Sequence, residues 1–264
     1  MSTSLKIGIA GGSGWLGGAI ASAILDTGTI KPAGLAMSYR SRRPHHFADC
    51  YWTSDNQELA DRCDIIILAV RPHDWLSLEI KAPDKLLISV MAGITLDRLK
   101  ERHQTHRIIR AMPNAAASVR QSYTPWVGSS KVTPEDRSIT RTIFAACGQQ
   151  DEIGAENHLD YLTGLCGSGP ALPALLGCAM IDGAVNYGIQ PDIALRAVTA
   201  VLVGTGCLLQ QKAQTPQEIV ASFTSYDGTT TAALQAMNEA QFYRCIAAGL
   251  SAALLKAANM ESTA

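Results

Sequence analysis

Charge is scarce in this chain. Asp, Glu, Lys and Arg supply only 17% of its 264 residues and nearly cancel, to a formal −1. No basic excess exists to gather nucleic acid or an anionic membrane surface, so neither is expected as a partner. Long apolar runs are also lacking. The longest, such as Ala197 to Leu209, fall short of the roughly 18 residues that a membrane span needs, so no span is expected. The opening "MSTSLK" leads directly into a strand pattern without an apolar targeting segment, which points to the cytoplasm. The seven cysteines have no C-x-x-C spacing, and the six histidines (His45, His46, His73, His103, His106, His158) have no ligand spacing. The cysteines therefore read as small hydrophobes in a reducing compartment, and no metal site is expected. Neither G-x-S-x-G, H-E-x-x-H nor a P-loop pattern occurs.

What the chain does have is 47% hydrophobic residues, which excludes a disordered polymer, and a length that calls for one large or two moderate domains. It also concentrates glycine: "GIAGGSGWLGGAI", from Gly8 to Ile20, has six in thirteen residues. "LKIGIA" before it reads as a strand, and "GGAIASAILDTG" as a helix ending at Gly28. Between them Gly12, Ser13, Gly14, Trp15, Leu16 and Gly17 spell G-x-G-x-x-G, the dinucleotide fingerprint in the context it requires. An alternative register uses Gly11, Gly14 and Gly17. Either one places a pyrophosphate on the N–H groups that open the helix.

The next strand, "AGLAMS", runs into Ser38, Tyr39, Arg40, Ser41, Arg42 and Arg43, with no carboxylate to read a ribose 2′-hydroxyl. Guanidinium groups there suit a 2′-phosphate, so NADPH is expected over NADH. "DRCDIIILAVRP", "KLLISVMAG" and "RIIRAMPN" are further buried strands, with "TLDRLKERH" a helix between the last two. Such alternation predicts a doubly wound, Rossmann-type α/β domain over residues 1–155. Ligands bind beyond the carboxyl ends of such strands, so Val70, Arg71, Pro72, Met91, Ala92, Gly93, Met112, Pro113 and Asn114 should line the cleft. Asn56 is placed with the cofactor-binding residues.

Residues 156–264 read as all-helical, with runs near Ala171–Gly188, Pro191–Gln211 and Gln241–Met260. The segment from Ile193 to Leu209 is apolar nearly all round and should be buried, in a core or against another subunit. A helical domain of this size should not bury all such surface alone, which predicts an intimate homodimer or a multiple of it. Asp182, inside the first of these helices, reads as a paired structural carboxylate, and Cys166 as a packing residue.

Several segments together resemble the pyrroline-5-carboxylate reductase family along essentially the whole chain. "DIIILAVRP" is similar to its strand ending A-V-K-P, with Arg71 for lysine. "SVMAGIT" resembles S-x-x-A-G-V-T, "RAMPNAAASV" resembles R-x-M-P-N-T-P-A-x-V, "LTGLCGSGPA" resembles L-S-G-S-G-P-A, and "DGAVNYGI" resembles D-G-A-V-x-x-G-L. The resemblance implies reduction of the cyclic imine 1-pyrroline-5-carboxylate to L-proline with NADPH or NADH. It also implies a helical C-terminal domain exchanged between subunits, with the active site at the dimer interface.

"SYDGTTTAAL" corresponds to the family's substrate loop S-P-G-G-T-T, with Tyr226 and Asp227 in place of proline and glycine. The match makes Ser225, Gly228, Thr229 and Thr230 substrate-binding residues, with Thr230 contacting the imine nitrogen. Helix-start N–H groups at Thr229 to Thr231 suit a substrate carboxylate, and Asp227 or Thr229 should cap that helix. Reduction of a different cyclic imino acid, or a non-catalytic NADPH-binding role, stays open because Asp227 sets a carboxylate beside the expected anion site.

Overall fold

A computed structural model describes residues 5–211, 215–224 and 228–260. The chain first alternates strand and helix: β1 (Ile7–Ala10), α1 (Trp15–Asp26), β2 (Leu35–Ser38), β3 (Tyr51–Thr53), α2 (Asn56–Arg62), β4 (Ile65–Leu68), β5 (Leu86–Ser89), α3 (Leu96–His103), β6 (Ile108–Ala111), β7 (Ser122–Gly128), α4 (Pro134–Cys147) and β8 (Gly148–Glu152). One sheet orders them β3-β2-β1-β4-β5-β6-β7-β8, parallel except where β6 meets β7. The expected doubly wound topology is present.

The apolar runs make the sheet two-faced. On β4, Ile65 and Ile67 join the cluster containing Ile20, Ile24 and Phe144 of α1 and α4, while Ile66 and Leu68 join Leu59 and Leu99 of α2 and α3. Side chains alternate along a strand, so only a strand covered on both faces reads as an unbroken apolar run. Each such fully buried Ile or Leu stabilises the fold by roughly 1.5–3 kcal/mol.

Hydrophobic patterning does not announce β3, β7 or β8. β8, Gly-Gln-Gln-Asp-Glu, is a polar edge strand paired only with β7, so alternation is absent from it. Pro125 lies within β7 and has no N–H for a ladder, which hides that strand. α4 did carry a legible signal: Thr133 and Asp136 form a reciprocal capping box, with Pro134 in the first turn.

Beyond the sheet come α5 (Glu156–Leu162), a π-helical turn (Thr163–Gly167), α6 (Ala171–Asn186), α7 (Pro191–Gln211), α8 (Pro216–Phe223), α9 (Thr229–Glu239) and α10 (Phe242–Asn259). By contacts the chain forms two compact units, Met1–Gly169 with Ala252–Ala264, and Pro170–Ser251. By contacts, α5 belongs with the first unit, and charge ties it to the sheet. Arg110, 1% exposed on β6, pairs with Glu156 (Nη1 to Oε1, 2.5 Å) and Asp160 (Nη2 to Oδ1, 3.5 Å) of α5. Glu156 Oε1 also accepts from the Leu96 N–H at 2.8 Å.

In the second unit α6 packs on α7, with Gly177 facing Leu202 and Val198. Few of its side chains are buried, and the expectation of a buried α7 does not hold within one chain. Only Ala194 and Val198 of α7 are buried, whereas Val201 and Val203 are 53% and 60% exposed. Asp182 is likewise exposed rather than held in a core. By length and composition alone, α7 and the helical run 156–186 reach what a membrane span needs, with mean hydropathies of 1.7 and 1.5 over their most apolar 18 residues.

Candidate dinucleotide site and helix start

The glycine turn follows β1 directly. Gly11 has φ +84°, a conformation that favours glycine, and a Cβ there would lie 2.8 Å from the Ala69 carbonyl oxygen. At Gly17 a Cβ would lie 2.5 Å from the Gly11 carbonyl oxygen, so helix and turn touch through bare backbone. Gly12 instead packs against Met37 of β2. The tight turn is therefore made by the earlier register, Gly11-x-x-Gly14-x-x-Gly17.

Ser38 pins this turn from β2. Its hydroxyl accepts from the Gly11 N–H at 3.0 Å, and its carbonyl accepts from the Ser13 N–H at 3.3 Å. Gly14 is the N-cap of α1 and carries no side chain, so no side chain caps the helix, and no acidic residue occupies its first turn. Orphan N–H groups with the positive end of a helix dipole remain there for an anion.

A cavity of about 410 Å³ opens beside the turn. Of the residues expected at the cofactor, Ser13, Gly14, Ser38, Arg40, Asn56, Val70 and Arg71 line it. Tyr39 lines it too, as do Ser54, Asp74 and Ser77, which sequence patterning does not single out. Their common signal was position, since they lie at or just beyond the carboxyl ends of β2, β3 and β4. Arg40 reaches across to Asp74, Nη1 to Oδ1 at 2.9 Å.

The other expected residues sit elsewhere. Trp15 is 61% exposed in the first turn of α1, with Leu16 and Gly17 following it in the helix. Arg42 and Arg43 are exposed beyond the cavity lining. Pro72 starts the 3-10 turn Pro72–Ser77, whose Trp75 is buried. Met91, Ala92 and Gly93 follow β5, and Gly93 (φ +72°) lies against Met260. Met112, Pro113 and Asn114 follow β6. The Asn114 side chain ties two segments together: Oδ1 accepts from the Ala116 N–H, and Nδ2 donates to the Cys166 carbonyl, both at 2.9 Å. Burial raises the Cys166 thiol pKa, which suits packing rather than redox chemistry.

In the second unit, α9 begins at Thr229 with Gly228 as its N-cap, in extended conformation. The N-cap position is thus Gly228 rather than Thr229. Gly228 itself has no side chain to offer as a cap. Thr229 and Thr230 occupy the first turn, Thr229 exposed and Thr230 half-buried. Ser225, Tyr226 and Asp227 lie outside the described residues.

Two family models match this chain. Residues 6–93 match "NADP oxidoreductase coenzyme F420-dependent", and residues 156–260 match "Pyrroline-5-carboxylate reductase dimerisation". The pyrroline-5-carboxylate reductase of Synechocystis is 32% identical over 258 residues, which cover 95% of this chain and 96% of the relative. A crystal structure of Plasmodium falciparum pyrroline carboxylate reductase with NADP bound aligns with TM-score 0.84 at 27% identity, over 97% of this chain and 98% of that one. The 1-pyrroline-5-carboxylate reductase of Streptococcus pyogenes aligns with TM-score 0.85 at 27% identity, over 98% and 100%. With likeness at this level along the full length, over both the sheet and the helices that follow it, the chain belongs to the pyrroline-5-carboxylate reductase family.

Proposed function

We propose that this protein reduces the C=N bond of 1-pyrroline-5-carboxylate to give L-proline, with NADPH as reductant. The observation that carries the reading is the uncapped glycine turn at α1 in a chain similar throughout to reductases of that name. Backbone fits dinucleotide here: Gly11 and Gly17 let turn and helix close on each other with no side chain between them, and the N–H groups that open α1 suit pyrophosphate. Gly12, Ser13, Gly14, Trp15, Leu16 and Gly17 form the phosphate end, and Ser38, Arg40, Arg42, Arg43 and Asn56 the adenosine end. Val70, Arg71, Pro72, Ala92, Gly93 and Asn114 follow the strands toward the nicotinamide. When bound, the reduced nicotinamide supplies the hydride.

The chain's own residues bind and orient the imine. Ser225, Gly228, Thr229 and Thr230 hold the substrate, with its carboxylate at the N-terminal end of α9. The Thr230 hydroxyl makes the polar contact to the imine nitrogen. Residues 156–264 act as the dimerisation and substrate domain of a homodimer, or a multiple of it, in the cytoplasm. The exposed apolar faces of α6 and α7 support that assembly.

Oxidation of NADPH by purified protein, offered a panel of cyclic imino acids, tests the reading. Turnover should be greatest with 1-pyrroline-5-carboxylate and better with NADPH than with NADH. Preference for another cyclic imino acid would move the substrate, and binding without turnover of any of them would overturn the enzymatic reading. Thr230→Val should slow reduction roughly ten- to a thousandfold, the range for one lost polar transition-state contact, while NADP+ binding holds. Unchanged turnover would remove Thr230 from the site.

A further inference from the structure

We propose that Asp74 sets how strongly this site discriminates NADPH from NADH, by competing with the 2′-phosphate for Arg40. The inference rests on the dinucleotide reading of the cavity and names the residue that tunes it. Arg40 is the one arginine of the Arg40, Arg42 and Arg43 group that lines the cavity, and it is already engaged, 2.9 Å from the Asp74 carboxylate.

The two partners are unequal. The Arg40 side chain is 81% exposed on the loop after β2, whereas the Asp74 side chain is 29% exposed. Asp74 is fixed by its 3-10 turn: its N–H donates to the Arg71 carbonyl at 2.9 Å, and its carbonyl accepts from Ser77 Oγ at 2.7 Å. The neighbouring Trp75 anchors that turn, donating from Nε1 to the buried His103 Nε2 at 2.9 Å. The carboxylate is the fixed group, and the guanidinium comes to it. His73 Nε2 stands 3.7 Å from the second carboxylate oxygen.

A 2′-phosphate at the end of β2 must draw Arg40 off this carboxylate and then lie beside the negative charge left behind. Part of what the arginine contributes to NADPH is thereby cancelled. A 2′-hydroxyl meets the opposite situation, because a carboxylate at the cavity wall is the acceptor that NAD sites use. Asp74 thus lowers discrimination from the level Arg40 alone would give.

Calorimetric titration of the intact protein with NADP+ and with NAD+, without imine, tests this separately from the substrate assignment. Asp74→Asn keeps the shape and removes the charge. It should tighten NADP+ about tenfold and leave NAD+ unchanged or weaker, a change of the size that about 1.4 kcal/mol produces. Asp74→Ser should act in the same direction. Arg40→Ala should weaken NADP+ alone, and on that background Asp74→Asn should alter NADP+ affinity less than about twofold, as coupled groups require. Weaker NADP+ binding in Asp74→Asn would overturn the proposal, since Asp74 would then be orienting Arg40. An effect undiminished on the Arg40→Ala background, or an Arg40→Ala variant with unaltered NADP+ affinity, would overturn it as well. Protein that shows the expected titrations yet turns over no imine would sink the reductase reading and leave Asp74 in its role.

Discussion

Adding one methyl group at Gly17 should do more harm than adding one at Gly18, its immediate neighbour. The Gly17→Ala Cβ would lie 2.5 Å from the Gly11 oxygen and 3.1 Å from the Gly11 carbonyl carbon and the Gly12 Cα, all backbone. A carbon–oxygen contact needs about 3.3 Å, so helix and turn would have to part by about 0.8 Å. Neither side yields readily. The turn is pinned by Ser38 and by the Gly14 N–H bond to Gly11, while Ile20 and Ile24 fix α1 in the core at 0% exposure. Overpacking of this kind costs about 1–3 kcal/mol, against about 0.5–1 kcal/mol recovered from replacing a helical glycine. The net loss of about 1–2 kcal/mol corresponds to a Tm lower by roughly 2–8 °C for a chain of this size. NADP+ affinity should fall with it, because the α1 N–H groups move relative to the turn. At Gly18 the nearest atom to a new Cβ is 3.6 Å away, an ordinary contact, so Gly18→Ala should stabilise by about 0.5–1 kcal/mol. Thermal melts and NADP+ titrations of the two variants decide the matter. Gly17→Ala with wild-type stability and affinity, or both variants losing stability alike, would refute the close-approach argument.

Replacing Arg110 by Met should cost about 3–5 kcal/mol, read by urea unfolding, because Glu156 and Asp160 would lose the buried charge that holds α5 on the sheet. Stability should also fall with acidification in two stages. His103 is held below its ordinary pKa by burial. The unfolded chain therefore takes up a proton near pH ~6.5 that the folded chain refuses, and the His103 contribution, complete above that pH, is lost toward its lower folded pKa. Burial pulls the Asp136 pKa up, but hydrogen bonds from Arg107 and Thr133 outweigh it and hold the carboxyl below its ordinary value. Its contribution is present above the ordinary carboxylate pKa and is lost as pH falls through the depressed one. Urea midpoints for Asp136→Asn that follow the wild-type pH curve at acid pH would contradict this.

The parts legible in sequence were those where one physical demand acts alone. β1, β2, β4 and β5 are buried along their length, so burial wrote runs free of charged residues into them. The turn at Gly11–Gly17 was legible because close backbone approach admits almost nothing but glycine. β8 was not, since an exposed edge strand is held by backbone pairing to β7, which no side-chain pattern encodes. Asp74 was invisible for another reason. Its place beside Arg40 depends on β2 and β4 both flanking β1, a pairing that joins residues 34 apart in sequence. Arg110 read as one motif letter, though its burial between two carboxylates explains why the first compact unit continues past residue 155.

The second unit has consequences for how stability should be measured. Leu175 is 70% exposed on α6, Val201 and Val203 are more than half exposed on α7, and Tyr187 is 88% exposed at the end of α6. The side chains of α7 that are buried, Ala194 and Val198, are small. At about 25 cal/mol per Å2, so little buried apolar area cannot offset the roughly 1–2 kcal/mol of backbone entropy lost per ordered residue. Helices with this composition need a covering surface, and residues 156–260 match a dimerisation family, which supports assembly into an oligomer. Folding of this unit should then be coupled to association, which makes its stability depend on protein concentration. Diluting the protein a hundredfold should lower its Tm by several degrees, with sedimentation velocity showing the dimer give way over the same range. Placing a charge at Val203 (Val203→Glu) should exaggerate the dependence, while the first unit keeps its NADP+ site and its near-ultraviolet signal from Trp126. A Tm independent of concentration, in protein that sediments as a monomer, would mean that the α6 and α7 surface is stable in water as it stands, and the case for a covering subunit would fail.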